Sequence, residues 1–574
     1  MTTASSVANA HGPALSRAGG HSRILAGMLA LSVFVPAVVG ALILLAGGRL
    51  SGAAVLGGWL GAPVWGGWQL VKDRAPFRRM AGIGAAYLVV LALGASFSLL
   101  FYDLSYDGQF YHQEAIIRLA QGWNPVHDPP LPLHPERLDH DYAIWVNHYP
   151  KAAWIAAASL YSLSGRIELG KIFNVLLFMA VFFRAYALFR ALGSERSSAV
   201  VHAGLIAANP VVVVQLVGFY VDGLMADAIT LVVLSAVSWM RPGGDAWKPW
   251  SFDGWMIFLS MIFMMNLKFT GLLYAAVLSL GLVVSAEARR RSLLSLTFLA
   301  FVVGICVVGV SPYITNTIRD GHPLHPLFGD RAMDIVHTQF DADFLAEPAP
   351  YRLMVALFSR SSNERAYPHL KLPFAFGFDE LRAYTENDTR IGGFGPLFSG
   401  ALILAGMGWG VLLRRRPRWV GTVGQGFGWI VLSVVLNPQS WWARFVPQLY
   451  LLPIGSAFVF SRGPGRMLQR LSVVLLAVLE INVALVVFPF YVVQGSLSHE
   501  VGKQLRAAAI ASRREPIAVR FNYFDPLRTR LREAGVRYVE VETPPCPKPT
   551  VLLGARVQMC MPDGSADSSG GPGR

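Results

Sequence analysis

Stretches of roughly 18 or more mostly apolar residues are long enough to cross a bilayer as helices. In this chain they recur from residue 24 to residue 489. A hydrophobic fraction of 54%, a charged fraction of 15% and a mean hydropathy of +0.45 exclude a soluble multidomain enzyme. Spans are expected near 24–46, 53–71, 80–101, 169–190, 198–219, 223–240, 252–267, 269–286, 293–312, 394–413, 419–436, 444–461 and 468–489, about thirteen in all.

The net charge of +14 raises the question of nucleic acid, but no basic patch with interleaved aromatics exists. The cations sit instead in short connections between spans: Lys72, Arg74, Arg78 and Arg79; Arg241 with Lys248; Arg289 to Arg291; Arg414 to Arg416 with Arg418; Arg462, Arg466 and Arg470. Short loops rich in Lys and Arg stay cytoplasmic. With residues 1–23 as a cytoplasmic tail before a retained signal anchor, every such cluster falls on the inner face, so nucleic acid is not a partner.

The same register puts three polar segments outside: loops 102–168 and 313–393, and everything after residue 489. Within the first, Asp107 to Gln121 reads as a surface helix and Ala152 to Leu163 as an apolar piece too short to span. Residues 490–561 alternate helical and strand-like runs, a small extracytoplasmic α/β domain, and 562–574 has the composition of a disordered tail. The expected fold class is therefore an all-α polytopic membrane protein with a C-terminal α/β unit. Of three cysteines, Cys306 reads as core, while a Cys546 to Cys560 bridge outside the cell is left open.

Candidate chemistry concentrates where Phe101-Tyr-Asp-Leu-Ser-Tyr-Asp-Gly-Gln-Phe-Tyr-His-Gln-Glu-Ala-Ile-Ile-Arg118 leaves a span. Asp103, Asp107, His112 and Glu114 lie within a dozen residues at the outer surface, where partial desolvation tunes carboxylates for base catalysis. On helical spacing Asp107, Tyr111 and Glu114 share a face, although Asp107 also suits a plain helix cap. Lys268 and Arg444 fall at external helix ends, where a charge is costly unless water or an anion accompanies it; lipid phosphate and simple snorkelling both satisfy this. Asp222 interrupts an apolar region and reads either as a functional carboxylate or as a turn marker, and Asp227 lies deeper without an evident partner. Trp441 and Trp442 read as interfacial belt residues. Pro323, His325, His337, Asp341, Asp343, His369 and Glu386 of the second loop lack zinc-helix spacing, so no metal site is assigned there.

Asp107-Gly-Gln-Phe-Tyr111 with the residues that follow resembles the Asp-Glu-x-x-Tyr segment in the first external loop of the GT-C superfamily, which includes the protein O-mannosyltransferases and the aminoarabinose transferases acting on lipid A. Asn147-His-Tyr-Pro-Lys151 is similar to that family's Pro-containing motif, Asn266-Leu-Lys-Phe-Thr-Gly271 to its Lys-containing hinge, and Trp441-Trp-Ala-Arg-Phe-Val-Pro-Gln-Leu-Tyr-Leu-Leu-Pro453 to its Arg-Tyr and Pro-bearing late helix. The resemblance implies a GT-C-like membrane region and a glycosyltransferase that moves a sugar from a polyprenyl-phosphate donor to an extracytoplasmic acceptor, whether glycan, lipid or protein. It assigns Asp107 as catalytic carboxylate. Gly108 stands where the family has Glu, leaving Asp103 or Glu114 as substitutes. Tyr111, His112, His148, Lys151, Asp222, Lys268 and Arg444 are the expected substrate contacts. No cofactor is required; magnesium or manganese held by Asp103 or Asp107 with Asp222 is the alternative. Membrane lipids surround the chain, and richness in Ala, Gly, Arg and Pro points to a bacterial inner membrane with the active site on the periplasmic face. The competing readings are a transporter or flippase of a lipid-linked saccharide and an O-antigen-type polymerase or ligase.

Overall fold

The computed structural model describes residues 12–133, 141–241, 250–286, 289–329, 332–334, 336–415, 417, 419–522 and 524–561. Lys248, Arg416, Arg418, the first eleven residues of the N-terminal tail and the tail 562–574 lie outside the described residues.

The protein is a membrane-spanning helical bundle. Among the described residues six helices are long and apolar enough to cross a bilayer: Gly19–Leu45, Phe77–Leu100, Ile167–Ala191, Asp222–Trp239, Arg290–Val308 and Arg466–Ala511. Shorter apolar helices, including Phe252–Met265, Thr270–Ser285 and Val420–Val435, fill the spaces between them. Helix Phe77–Leu100 shows how lipid shapes the pattern. It buries only the seam Ile83, Tyr87, Val90, Gly94 and Ser98, spaced three and four residues apart, while Leu88, Leu93 and Leu100 face outward. In water such exposed leucines would be a liability; against acyl chains they are the favourable surface.

Several expected spans are interrupted, and the interruptions build the site. The segment expected as one span over 198–219 divides into Arg196–Ala207 and Pro210–Gln215, because Asn209 caps a new helix by accepting from the Val211 amide and Pro210 occupies its first turn. The span expected from residue 444 becomes regular only at Leu451, after short tight turns at Ala443–Phe445 and Pro447–Tyr450. Helix Arg290–Val303 loosens into wide turns and kinks at Ser311. Irregular backbone of this kind is tolerated at a membrane only where protein buries it or water reaches it.

The last helix does not stop at Pro489 but runs from Arg466 to Ala511, 46 residues. At 1.5 Å per residue it is about 70 Å long, more than twice a ~30 Å hydrocarbon core, so part of it stands clear of the membrane. Beyond it lies a four-stranded sheet of order β2-β1-β4-β3, with β1 Ile517–Arg520, β2 Tyr538–Glu540, β3 Thr550–Leu552 and β4 Val557–Met559. Strands β1 and β2 are parallel and joined through helix Leu527–Glu533. Cys546 and Cys560 form a disulfide beside β4. Cys306, expected in the core, is exposed. Arg530, buried, fastens this unit to the loop 102–168 by donating to the Asp103 carbonyl at 2.7 Å and to Glu168 at 2.9 Å.

Candidate functional site

After helix Phe77–Leu100 the chain turns at Asp103, whose carboxylate accepts from the Ser105 amide at 2.9 Å, the Ser105 hydroxyl at 2.6 Å and the Phe219 amide at 2.9 Å. Burial, reinforced by Glu168, pushes this carboxyl above its ordinary range. A Cβ added to Gly108 would overlap the Asp103 carboxylate. Asp103 thus fills the room that a side chain at 108 would need, which gives a steric reason for glycine at the position where the resembled motif carries Glu. Residues Gly108–His112 form a five-residue wide turn before the regular helix Gln113–Ala120. That extra width rotates the residues after it. Glu114 therefore does not share the face of Asp107: it pairs with Arg118 at 2.6 Å, and burial raises its carboxyl.

Three distant segments converge on Arg444. Its Nη1 lies 3.3 Å from Asp107 and 3.9 Å from Asp222, and its Nε lies 3.5 Å from Asp388. The Nε contact is close enough for ion pairing but poorly aligned, and Nε has no hydrogen-bond partner among the described residues. Lys268 Nζ donates to Asp222 at 2.6 Å and sits 3.7 Å from the Phe445 ring centroid. Three carboxylates thus face two cations. Asp222 opens helix Asp222–Trp239, where the helix N-terminus favours its charge. Asp107 is the most accessible carboxylate, with 23% side-chain exposure against 15% for Asp388 and 3% for Asp222.

Aromatic rings wall the cluster. The guanidinium of Arg444 lies 4.3 Å from the Trp442 ring and 5.2 Å from Tyr220. Trp442 Nε1 donates to Asp388 at 2.7 Å. Both Trp441 and Trp442 are buried, packed with Phe340, Phe344 and Phe445 beneath the loop 313–393, and are not a lipid-facing belt. Tyr111 stands against Trp145, Tyr149 and Trp154. His112 accepts from Trp154 Nε1 at 2.7 Å through Nδ1, and burial lowers its pKa to about 3. It is therefore a neutral imidazole whose Nε2–H is left as a donor.

Of the sequence candidates, the structure brings together Asp107, Asp222, Lys268 and Arg444, with Tyr111 and His112 alongside. Lys151 is elsewhere: buried, it donates to the carbonyls of Asn147 and Tyr149 and so closes its own turn. His148 turns away towards Asn316 and Asp320. Sequence reasoning missed Asp388 and Gln215. Gln215 accepts from the Gly223 amide at 2.7 Å and donates to Asp222 at 3.4 Å. Asp388 is held in place by its neighbour Asn387, which donates to the Val214 carbonyl at 2.7 Å. Burial raises the Asp388 carboxyl while Arg444 and Trp442 oppose the rise. Asp227 lies buried in its helix with one carboxylate oxygen unpartnered among the described residues.

No family model matches the chain, and no curated protein matches it. Among solved structures it is similar to ArnT from Cupriavidus metallidurans bound to undecaprenyl phosphate, with 13% identity, a TM-score of 0.43, and coverage of 80% of this chain and 86% of that one. It is also similar to the apo state of the same protein, with 14% identity, a TM-score of 0.42, and coverage of 80% and 84%.

Proposed function

We propose that this protein transfers a sugar from a polyprenyl-phosphate donor to an acceptor on the extracytoplasmic face of a bacterial inner membrane. The observation that carries the reading is the placement of Arg444 among Asp107, Asp222 and Asp388, with Lys268 beside them, at the ends of interrupted helices. The reading takes the chain as crossing the membrane about thirteen times, with both large loops and the α/β unit outside. A permanently charged fork with an unsatisfied Nε is suited to a lipid phosphate arriving at headgroup level.

In the proposed step the acceptor hydroxyl oxygen attacks the anomeric carbon, the bond from that carbon to the phosphate oxygen breaks, and the hydroxyl proton passes to Asp107. The phosphate leaves with the electron pair, its charge met by Arg444 and Lys268. The arriving phosphate competes with the carboxylates for Arg444, and loosening of the 3.3 Å contact to Asp107 frees that carboxylate as a base. His112 donates its Nε2–H to a sugar or phosphate oxygen. The step uses no cofactor; magnesium or manganese bridging Asp107 and Asp222 would first have to displace Arg444 from both.

The test is incubation of the purified protein with radiolabelled polyprenyl-phosphate sugars and envelope acceptors. The proposal expects label on the acceptor together with release of polyprenyl phosphate. Movement of intact lipid-linked saccharide across vesicles, with no bond broken, would establish the transporter reading instead.

A further inference from the structure

We infer that His148, Asp320 and His325 form a zinc-class divalent metal site on the external face, separate from the charge cluster around Arg444. One ligand atom from each residue can be chosen so that all three lie within 4.8 Å of one another. The His148 Nδ1 to Asp320 distance is 3.4 Å, and the rings of His148 and His325 meet at 4.6 Å with an interplanar angle of 86°. Metal bonds of about 2.0–2.1 Å in tetrahedral geometry set ligand separations of roughly 3.4 Å, so one pair is already at bonding separation and side-chain rotation closes the rest. Two imidazoles with one carboxylate are a donor set zinc takes, and imidazole nitrogen discriminates against magnesium and calcium.

The backbone around the three residues is built as well. His148 ends helix Tyr142–His148, Asp320 ends helix Thr315–Asp320, and His325 lies in the loop that follows. Asn316, buried, ties their backbones together: its amide donates to the carbonyls of His148 at 3.1 Å and His325 at 2.9 Å, and its oxygen, 3.0 Å from His148 Nδ1, has to give way when that nitrogen takes the metal. The neighbouring cations are engaged elsewhere, Lys151 with the carbonyls of Asn147 and Tyr149 and Arg319 with that of Asp128. Asp320, partly exposed, leaves the fourth position to water. A metal here pins the second external loop onto the first beside Tyr149, whose ring lies 5.4 Å from Phe269 and 6.3 Å from Tyr111, and so fixes one wall of the site.

The experiment strips the tag-free, detergent-purified protein with a chelator and titrates it with Zn2+ or Co2+ alone. The expected result is about one equivalent bound, a visible ligand-field band with Co2+, and a raised thermal midpoint. His148→Ala and Asp320→Asn should abolish the band. Wild-type protein that takes up neither ion, or variants that bind as tightly as wild type, overturns the site. Should a variant not fold, the wild-type Co2+ spectrum and thermal shift decide alone, and neither depends on sugar transfer.

Discussion

Replacing Arg444 with Gln removes the one cation shared by three carboxylates. At an effective dielectric of about 20, unit charges 3.5 Å apart attract by roughly 5 kcal/mol. Desolvation cancels much of that, and deleting one partner of a buried pair costs about 3–5 kcal/mol. Lys268 still neutralises Asp222 and Asp107 can rehydrate, so the burden falls on Asp388 and the cost belongs near the low end, about 3 kcal/mol. Adding Asp388→Asn to Arg444→Gln removes the stranded charge and keeps an oxygen for Trp442 Nε1. The double variant should therefore be less damaged than the sum of the singles, by about 0.5–3 kcal/mol. Thermal denaturation of the four proteins in one detergent measures this cycle. Additivity within about 0.5 kcal/mol would show that Arg444 and Asp388 do not share an electrostatic network, and the site as described would fall.

Gly108→Ala should lower activity and thermal stability together, because the new methyl meets the anchored Asp103 carboxylate; unchanged behaviour would contradict the close packing. Glu533, whose pKa burial raises to about 7, accepts from the Ile167 amide. Because the folded state holds that proton more tightly than the unfolded chain, its contribution is present below about pH 4.5 and is lost as pH rises through about 7. The thermal stability of the C-terminal unit should fall between about pH 5 and pH 8, and Glu533→Gln should flatten the fall. Removing the Cys546–Cys560 bridge, 14 residues apart in sequence, should destabilise the C-terminal sheet by about 3 kcal/mol, read as faster proteolysis of that unit with the membrane bundle intact.

Membrane residence was legible because it depends on local composition alone: an apolar run long enough to span is visible residue by residue. Asp222, Lys268 and Arg444 were legible for a related reason, since charge in apolar surroundings stands out without any knowledge of its neighbours. Misplacements arose where geometry departs from regular spacing. Glu114 was assigned to the face of Asp107 on a 3.6-residue period, and the wide turn Gly108–His112 rotates it off. The breaks at Asn209 and before Leu451 carried signals in Asn-Pro and in Pro447, but in a long apolar run these compete with hydropathy. Asp388 gave no signal, because only the fold of an irregular loop carries it to Arg444. His148 and Lys151 stand in a motif-like string, yet their side chains leave it in different directions.

The most direct test of the account is Asp107→Asn, which keeps the size of the side chain and removes the base. Arg444 and Lys268 stay in place and Arg444 loses one competing carboxylate, so polyprenyl phosphate should bind at least as tightly as to wild type while transfer falls by about 10²–10⁴-fold. Sugar transfer by Asp107→Asn at the wild-type rate would contradict the central claim.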